Sequence, residues 1–351
     1  YQTNYTDAKT CIDASESYRM NHGFLAPRCS TDNNDENIIN ENKIERLSLD
    51  TELPKPYELR TEFLKSDYSL SLSTFHAPRF SWKLPLLPGD KNRGEDQAAY
   101  RIIVRERYNT GVIVWDSNIV SSNASNLVEY NGDMNLLVPD KSYSWTVQYF
   151  YQNKKNDDDL IPSSISSTSS FDIGLMVEKD WENAKWIGDE NHRLIRVNVL
   201  PLSTNIVRAR VHLSAPGCAV LSVNGKTHPF SAGGVCPWTN FNKTIYYQSY
   251  DILNMLVFEK DKSAKMEKQT FGFMLGHGMY YKYGLPGTHP TIKVKIVLED
   301  DKGMRTLCVS GSGSSSSSRN NANVCHWYGT EGPYISDDPF DGTEIDWDRL
   351  P

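Results

Sequence analysis

No run of about 18 apolar residues occurs anywhere in this 351-residue chain, so no membrane-spanning helix is expected. Basic blocks are missing as well. With 37 Lys and Arg against 44 Asp and Glu the formal net charge is −7, the wrong sign for a nucleic-acid partner. Helical periodicity is scarce, and H-E-x-x-H, G-x-S-x-G and paired C-x-x-C are all absent. The GKT triplet at Gly225 lacks the glycine five positions earlier that a phosphate loop needs. No cofactor and no metal are therefore expected.

Tyr1 opens the chain without Met or a charged-then-apolar leader, which predicts a mature, exported polypeptide. Six cysteines stand at 11, 29, 218, 236, 308 and 325. Taken in order they give three loops of similar size, Cys11–Cys29, Cys218–Cys236 and Cys308–Cys325. Other connectivities stay open; this one rests on short loops being easiest to close. Bridges of that size stabilise by about 3 kcal/mol each on the chain-entropy model, and they persist only where the compartment is oxidising. N-x-S/T triplets at Asn4, Asn123 and Asn242 point the same way, to a secreted or cell-surface glycoprotein.

Residues 1–56 are polar, rich in Asn and Glu, and offer few anchors for a core, so they are expected to form an arm. From Tyr57 onward the texture becomes short alternating runs: AYRIIVRER, GVIVWDSNIV, YSWTVQYFYQ and SSTSSFDIGL. Tyr143, Trp145, Val147 and Tyr149 alternate with Ser144, Thr146 and Gln148, the period of a half-buried antiparallel strand. A second unit opens near DWENAKWIG and carries LIRVNVL, IVRARVHLS, CAVLSVNGKTH, KTIYYQSYDI, TFGFMLG and TIKVKIVLED. The predicted architecture is all-β: two antiparallel sandwiches in tandem over 57–176 and 177–351, behind the arm. Asn224-Gly225 predicts a type I′ hairpin, since both residues tolerate positive φ. The Ser-rich stretch 310–319 reads as a loop without chemistry.

Three groups of residues compete for a functional role. The acids from Asp337 to Asp348 fail a calcium-loop template, with Pro339 at position three and Asp348 at position twelve. A glycosidase pair must face each other about 5–9.5 Å apart, a separation that sequence does not supply, so the acids read as an exposed terminus. His277 sits between glycines in LGHGMYY, where backbone and ring can approach a ligand; a bend between two strands explains the same glycines. Eight Trp and nineteen Tyr mostly fill cores. Trp238, Tyr280, Tyr281 and Trp327 lie in loop-like contexts and, with His277, are the candidate carbohydrate platforms.

The stretches LRTEFL, PRFSWKL, QAAYRIIVRE, VWDSNIVSS and YSWTVQYF, in that order, resemble the fibronectin-III-like module that opens family-78 α-L-rhamnosidases. DWENAKWIG, VRARVHLSAPGCAVLSVNGK, IYYQSYDI, FMLGHGMYY and GPYISDDPFDGTEID resemble the jelly-roll-type module that follows there. The resemblance spans about residues 57–347 and implies accessory modules; none of the catalytic barrel's acids has a counterpart here, so no catalytic residue is carried over. It makes the acidic end the exit from an accessory domain. Some such modules bind L-rhamnose through calcium held by the loop after the stretch like LGHGMYY. Here that loop, KYGLPGTHPT, holds neither Asp nor Asn, against calcium binding.

Three functions follow as expectations. The first is a non-catalytic extracellular glycoprotein with an adhesion or assembly role, such as a surface filament, self-assembling through its arm. The second is a carbohydrate-binding module for rhamnose-like sugars, with glycans as partners. The third is the front part of a longer α-L-rhamnosidase.

Overall fold

In β7, Ser142–Gln152, the side chains of Tyr143, Trp145 and Val147 point inward and set the first core. The computed structural model describes residues 53–66, 71–73, 76–85, 97–108, 111–152, 159–188, 193–231, 236–258, 267–281, 289–311, 325–338 and 340–349. The arm expected over 1–56, apart from its last four residues, lies outside them, as do Asn4, Cys11 and Cys29, most of the Ser-rich stretch and most of KYGLPGTHPT.

The strands around that core are β1 (Tyr57–Thr61), β2 (Arg79–Lys83), β3 (Ala99–Glu106), β4 (Ile113–Asp116), β5 (Val120–Ser121), β6 (Val128–Glu129), β7, β8 (Leu160–Pro162) and β9 (Ser169–Asp172). One sheet runs β1-β2-β6 and the other β4-β3-β7-β8, with β5 added on β3 and β9 on β7. Their pairings are antiparallel, and Phe80, Ile102, Val104, Trp145 and Phe171 interdigitate between the sheets. Trp145 is fully buried, so its ring nitrogen needs a partner, and it donates to Thr61 Oγ1 across the core at 3.1 Å. The Tyr143 hydroxyl accepts from the Val138 amide at 2.7 Å and donates to Leu136 carbonyl at 2.9 Å, the tyrosine corner of immunoglobulin-like sandwiches. Burial pushes that phenol up to about 12.

The second set comprises β10 (Leu194–Val199), β11 (Ile206–Ser214), β12 (Cys218–Val223), β13 (Lys226–Thr227), β14 (Tyr247–Asp251), β15 (Gln269–Gly276), β16 (Lys293–Asp300), β17 (Arg305–Val309) and β18 (Trp327–Thr330). Sheet β13-β12-β15-β10-β18 faces sheet β14-β11-β16-β17 over a core that includes Val211, Leu221, Phe271, Phe273 and Ile296. Fully burying one such side chain is worth about 1.5–3 kcal/mol. Asn224 and Gly225 have φ of 50° and 77°, the positive values the hairpin required, and join β12 to β13. The bridges Cys218–Cys236 and Cys308–Cys325 are present as paired by loop size. A last hairpin, β19 (Tyr334–Asp338) and β20 (Gly342–Ile345), ends the described chain apart from one 3-10 turn.

Both faces of β11 are buried. Ala209, Val211 and Leu213 enter the second core, while Arg208, Arg210 and His212, each 1% exposed, turn toward the first sandwich. There Asp140 accepts from Arg208 Nη2 at 2.8 Å, His212 Nε2 at 3.1 Å and Arg305 Nη2 at 2.5 Å, and pairs with Lys295 Nζ at 2.9 Å. Arg210 donates to Asp172 at 2.7 Å, and its Nη1 reaches the Asp251 carboxylate at 2.6 Å. Burial alone would raise Asp140; the hydrogen bond from His212 and the charges of Arg208 and Lys295 prevail and hold it well below the carboxylate range. Burial lowers His212, helped by Arg208 and Lys295, against the pull of Asp140. The neutral ring must carry its proton on Nε2, facing the carboxylate, so Nδ1 accepts from Ser249 Oγ at 2.7 Å. The connector between the sandwiches is packed as well: Leu175, Trp181 and Ala184 cluster with Val309, and Lys293 Nζ lies 5.0 Å over the Trp181 ring.

Candidate functional site around His277

The LGHGMYY stretch begins on β15 and passes through His277 into a helical turn at Gly278, not into a second strand. Its glycines are explained by close packing inside the protein. A Cβ on Gly276 would stand 2.7 Å from an Asp337 carboxylate oxygen, and Gly278, at φ +57°, sits where a Cβ would meet Cys218 Sγ at 3.0 Å. These positions let the acidic hairpin and the Cys218–Cys236 bridge close on the His277 backbone.

Asp337, on β19, accepts from the His277 amide at 2.7 Å and bonds its Nδ1 at 2.6 Å. Arg193, 7% exposed, adds a guanidinium to the same carboxylate and donates to Ile335 carbonyl at 3.3 Å. Burial works to raise Asp337, but the bonds from His277 and the Arg193 charge outweigh it and lower it. Because a carboxylate only accepts, the His277 ring donates from Nδ1, and in its neutral form Nε2 is an acceptor. The trio can receive a hydroxyl proton or orient a hydroxyl. Among the described residues no group of three metal-ligating side chains gathers.

Tyr281 meets the His277 ring edge-on at 5.7 Å, Tyr280 meets Tyr281 at 4.9 Å, and Phe241 meets Tyr280 at 4.8 Å. Tyr281 is buried, its hydroxyl accepting from the Thr291 amide at 2.9 Å, so Tyr280 is the half-open ring of the pair. Trp238 is 67% exposed in the segment that follows Cys236. Trp327 departs from the loop expected for it: it starts β18, packs on Phe273 at 5.8 Å and donates to Val309 carbonyl at 2.9 Å. Its half-buried ring joins the second core because β18 completes the β10 edge. The site residue that sequence reasoning passed over is Asp337, read as part of an exit. The other acids do serve turns: Asp338 accepts from Phe340 and Asp341 amides at 2.7 and 3.1 Å, and Asp346 pairs with Arg349 at 3.0 Å. Asn123 and Asn242 are both exposed.

Residues 56–177 match the family described as Rha78A-like, N-terminal immunoglobulin domain. An α-L-rhamnosidase of Formosa agariphila is 30% identical over 198 residues, 51% of this chain and 20% of the relative. One from Alteromonas sp. is 27% identical, again over 51% of this chain and 20% of the relative. The chain thus spans about a fifth of the length of these relatives. The solved α-L-rhamnosidase of Dictyoglumus thermophilum superposes with a TM-score of 0.63 at 25% identity, covering 84% of this chain and 32% of that one. That of Aspergillus terreus shares the fold at a TM-score of 0.55 and 18% identity, over 83% of this chain and 31% of that one. The chain is all-β, carries a Rha78A-like N-terminal immunoglobulin domain over 56–177, and resembles the N-terminal accessory modules of α-L-rhamnosidases.

Proposed function

We propose that this chain is a non-catalytic extracellular glycoprotein scaffold, with an arm over 1–56, an immunoglobulin-like sandwich over 57–176 and a rhamnosidase-accessory-like sandwich over 177–351. The observation that carries the proposal is the buried ionic joint, in which Arg208, Arg210 and His212 of one sandwich close on Asp140 and Asp172 of the other. A joint of fully buried, mutually paired charges has one low-energy geometry, because any shift strands a charge away from water. Such a unit transmits position and load, which suits an adhesion or assembly role. The two bridges and the exposed triplets at Asn123 and Asn242 support secretion. The arm is proposed to dock on neighbouring copies, with glycans as further partners at Trp238, His277 and Tyr280. Removing residues 1–56 is expected to abolish native oligomers on size exclusion with light scattering; unchanged oligomers would refute the assembly role.

The alternative, that the chain is the front of a longer α-L-rhamnosidase, is favoured by the 30% identity to an enzyme of which it matches only 20%. The intact mass of the native polypeptide, after reduction and removal of N-glycans, decides between them. A value near 39.9 kDa supports the free-standing scaffold, and a much heavier chain supports the enzyme. In either case these 351 residues alone are expected to leave a chromogenic α-L-rhamnoside uncleaved.

A further inference from the structure

A cavity of about 340 Å³ opens where the two sandwiches meet, lined from the first by Leu64, Ser71 and Leu72 and from the second chiefly by His228, Phe230 and β14. Its size and its place between two folded units are those of small-molecule sites. Phe230, on the 3-10 turn after β13, is 65% exposed beside the His228 ring and offers a flat apolar wall.

The polar wall has a fixed hydrogen-bond sense. His212 Nε2 donates to Asp140, so Nδ1 accepts from Ser249 Oγ; the Ser249 oxygen then accepts from Ser71 Oγ, with which it is paired. Ser71, exposed at the cavity edge and also hydrogen-bonded with the Tyr247 hydroxyl, adds its oxygen to this wall. The Asp251 carboxylate, 44% exposed, is steadied by Arg210 Nη1 at 2.6 Å and the Leu253 amide at 3.0 Å, and keeps further lone pairs for a ligand. Arg210 itself is 1% exposed and committed to Asp172 and Asp251, so the cavity shows acceptors and a carboxylate, with no open cation among its lining residues.

We infer that this inter-sandwich cavity binds a neutral saccharide, its hydroxyls donating to Asp251 and Ser71 and its apolar ring face resting on Phe230. An anionic ligand is disfavoured by the carboxylate, and a purely apolar one leaves the acceptors unmet. The site is separate from His277 and does not depend on whether the chain is a scaffold or the front of an enzyme.

The test is saturation-transfer NMR on the full chain with methyl α-L-rhamnopyranoside, methyl β-D-galactopyranoside and ethanolamine as probes. At least one glycoside is expected to bind, with affinity lowered about tenfold by Phe230→Ala and several-fold by Ser71→Ala. Trp347→Ala, at an exposed ring on the last 3-10 turn, is expected to leave binding unchanged. Both cavity substitutions are at exposed side chains and should leave the fold intact, which a thermal melt verifies. Silence from both glycosides, binding of ethanolamine alone, or binding indifferent to both cavity variants would each overturn the assignment.

Discussion

Two of the described carboxylates each bind an arginine and a histidine, Asp140 with Lys295 and Arg305 besides, and they sit in opposite surroundings. Asp140, with Arg208 and His212, has side-chain exposures of 4%, 1% and 1%; Asp337, with Arg193 and His277, has 22%, 8% and 29%. The same three residue types therefore make a buried joint in one place and a part-exposed cluster in the other. Burial is what separates them. A charge removed from water is tolerated only while its partners stay in place, so the inner trio fixes geometry; the outer trio, with its histidine 29% exposed, carries a far lower desolvation cost. The inner cluster is not optimised for stability alone, since Asp172 Oδ1, Arg208 Nη1 and Arg210 Nη2 lack hydrogen-bond partners among the described residues. Such a cluster favours one fixed arrangement of the sandwiches over maximal stability.

Breaking the inner trio gives the largest expected effect. Asp140→Asn leaves Arg208, Lys295 and Arg305 facing each other without their shared counter-ion, and a loss of about 3–5 kcal/mol is expected in urea denaturation. A loss below about 1 kcal/mol would show that the joint does not carry the interface. Next comes the outer trio's covalent support. Replacing Cys218 and Cys236 together by Ser opens a loop of 18 residues and is expected to cost about 3 kcal/mol on the chain-entropy model. Because Gly278 packs on Cys218 Sγ, NMR resonances of the His277 region should shift, while those of Asp140 and Asp172 stay put.

Acid should distinguish the trios next. His212 has its folded value lowered by burial, so below about pH 6.5 the unfolded chain takes up a proton that the folded chain refuses. Stability is then lost as pH falls, by at most about 1.4 kcal/mol per pH unit from this group. Urea midpoints measured from pH 8 to pH 5 should show the slope, and His212→Gln, which keeps a donor for Asp140, should flatten it. A slope unchanged by His212→Gln would assign it to another group.

The sequence made the strands legible because their period-2 pattern is local: AYRIIVRER, IVRARVHLS and TIKVKIVLED all appear as β3, β11 and β16. Asn224-Gly225 and the two described bridges were legible for the same reason, since short loops close most readily. Neither charged cluster was. Alternating Arg208, Arg210 and His212 looks like the wet face of a half-buried strand, and only the first sandwich, packing from 68 positions away through Asp140 to Arg208, makes it dry. Asp337 reaches His277 across 60 positions, a contact that no local pattern announces. Trp327 misled in the opposite direction: the three residues between Cys325 and Gly329 resemble a loop, yet Trp327 and Tyr328 pair with β10.

The smallest expected effect belongs to the outer trio itself. Asp337→Asn removes the charge beside Arg193 and weakens the bond to His277, but Asn keeps an acceptor for them, and the Asp337 and His277 side chains are 22% and 29% exposed, so solvent screens part of the loss. A loss of about 1 kcal/mol is expected in urea denaturation, the ordinary value of one hydrogen bond. The folded carboxyl is held below its usual value, so its contribution is present above about pH 4 and is lost as pH falls through the folded value. Asp337→Asn and the parent should therefore converge in stability in strong acid and differ at neutral pH. If Asp337→Asn proved as damaging as Asp140→Asn, the water-facing trio would be a second joint rather than a site, and the contrast drawn from burial would fail at its open end.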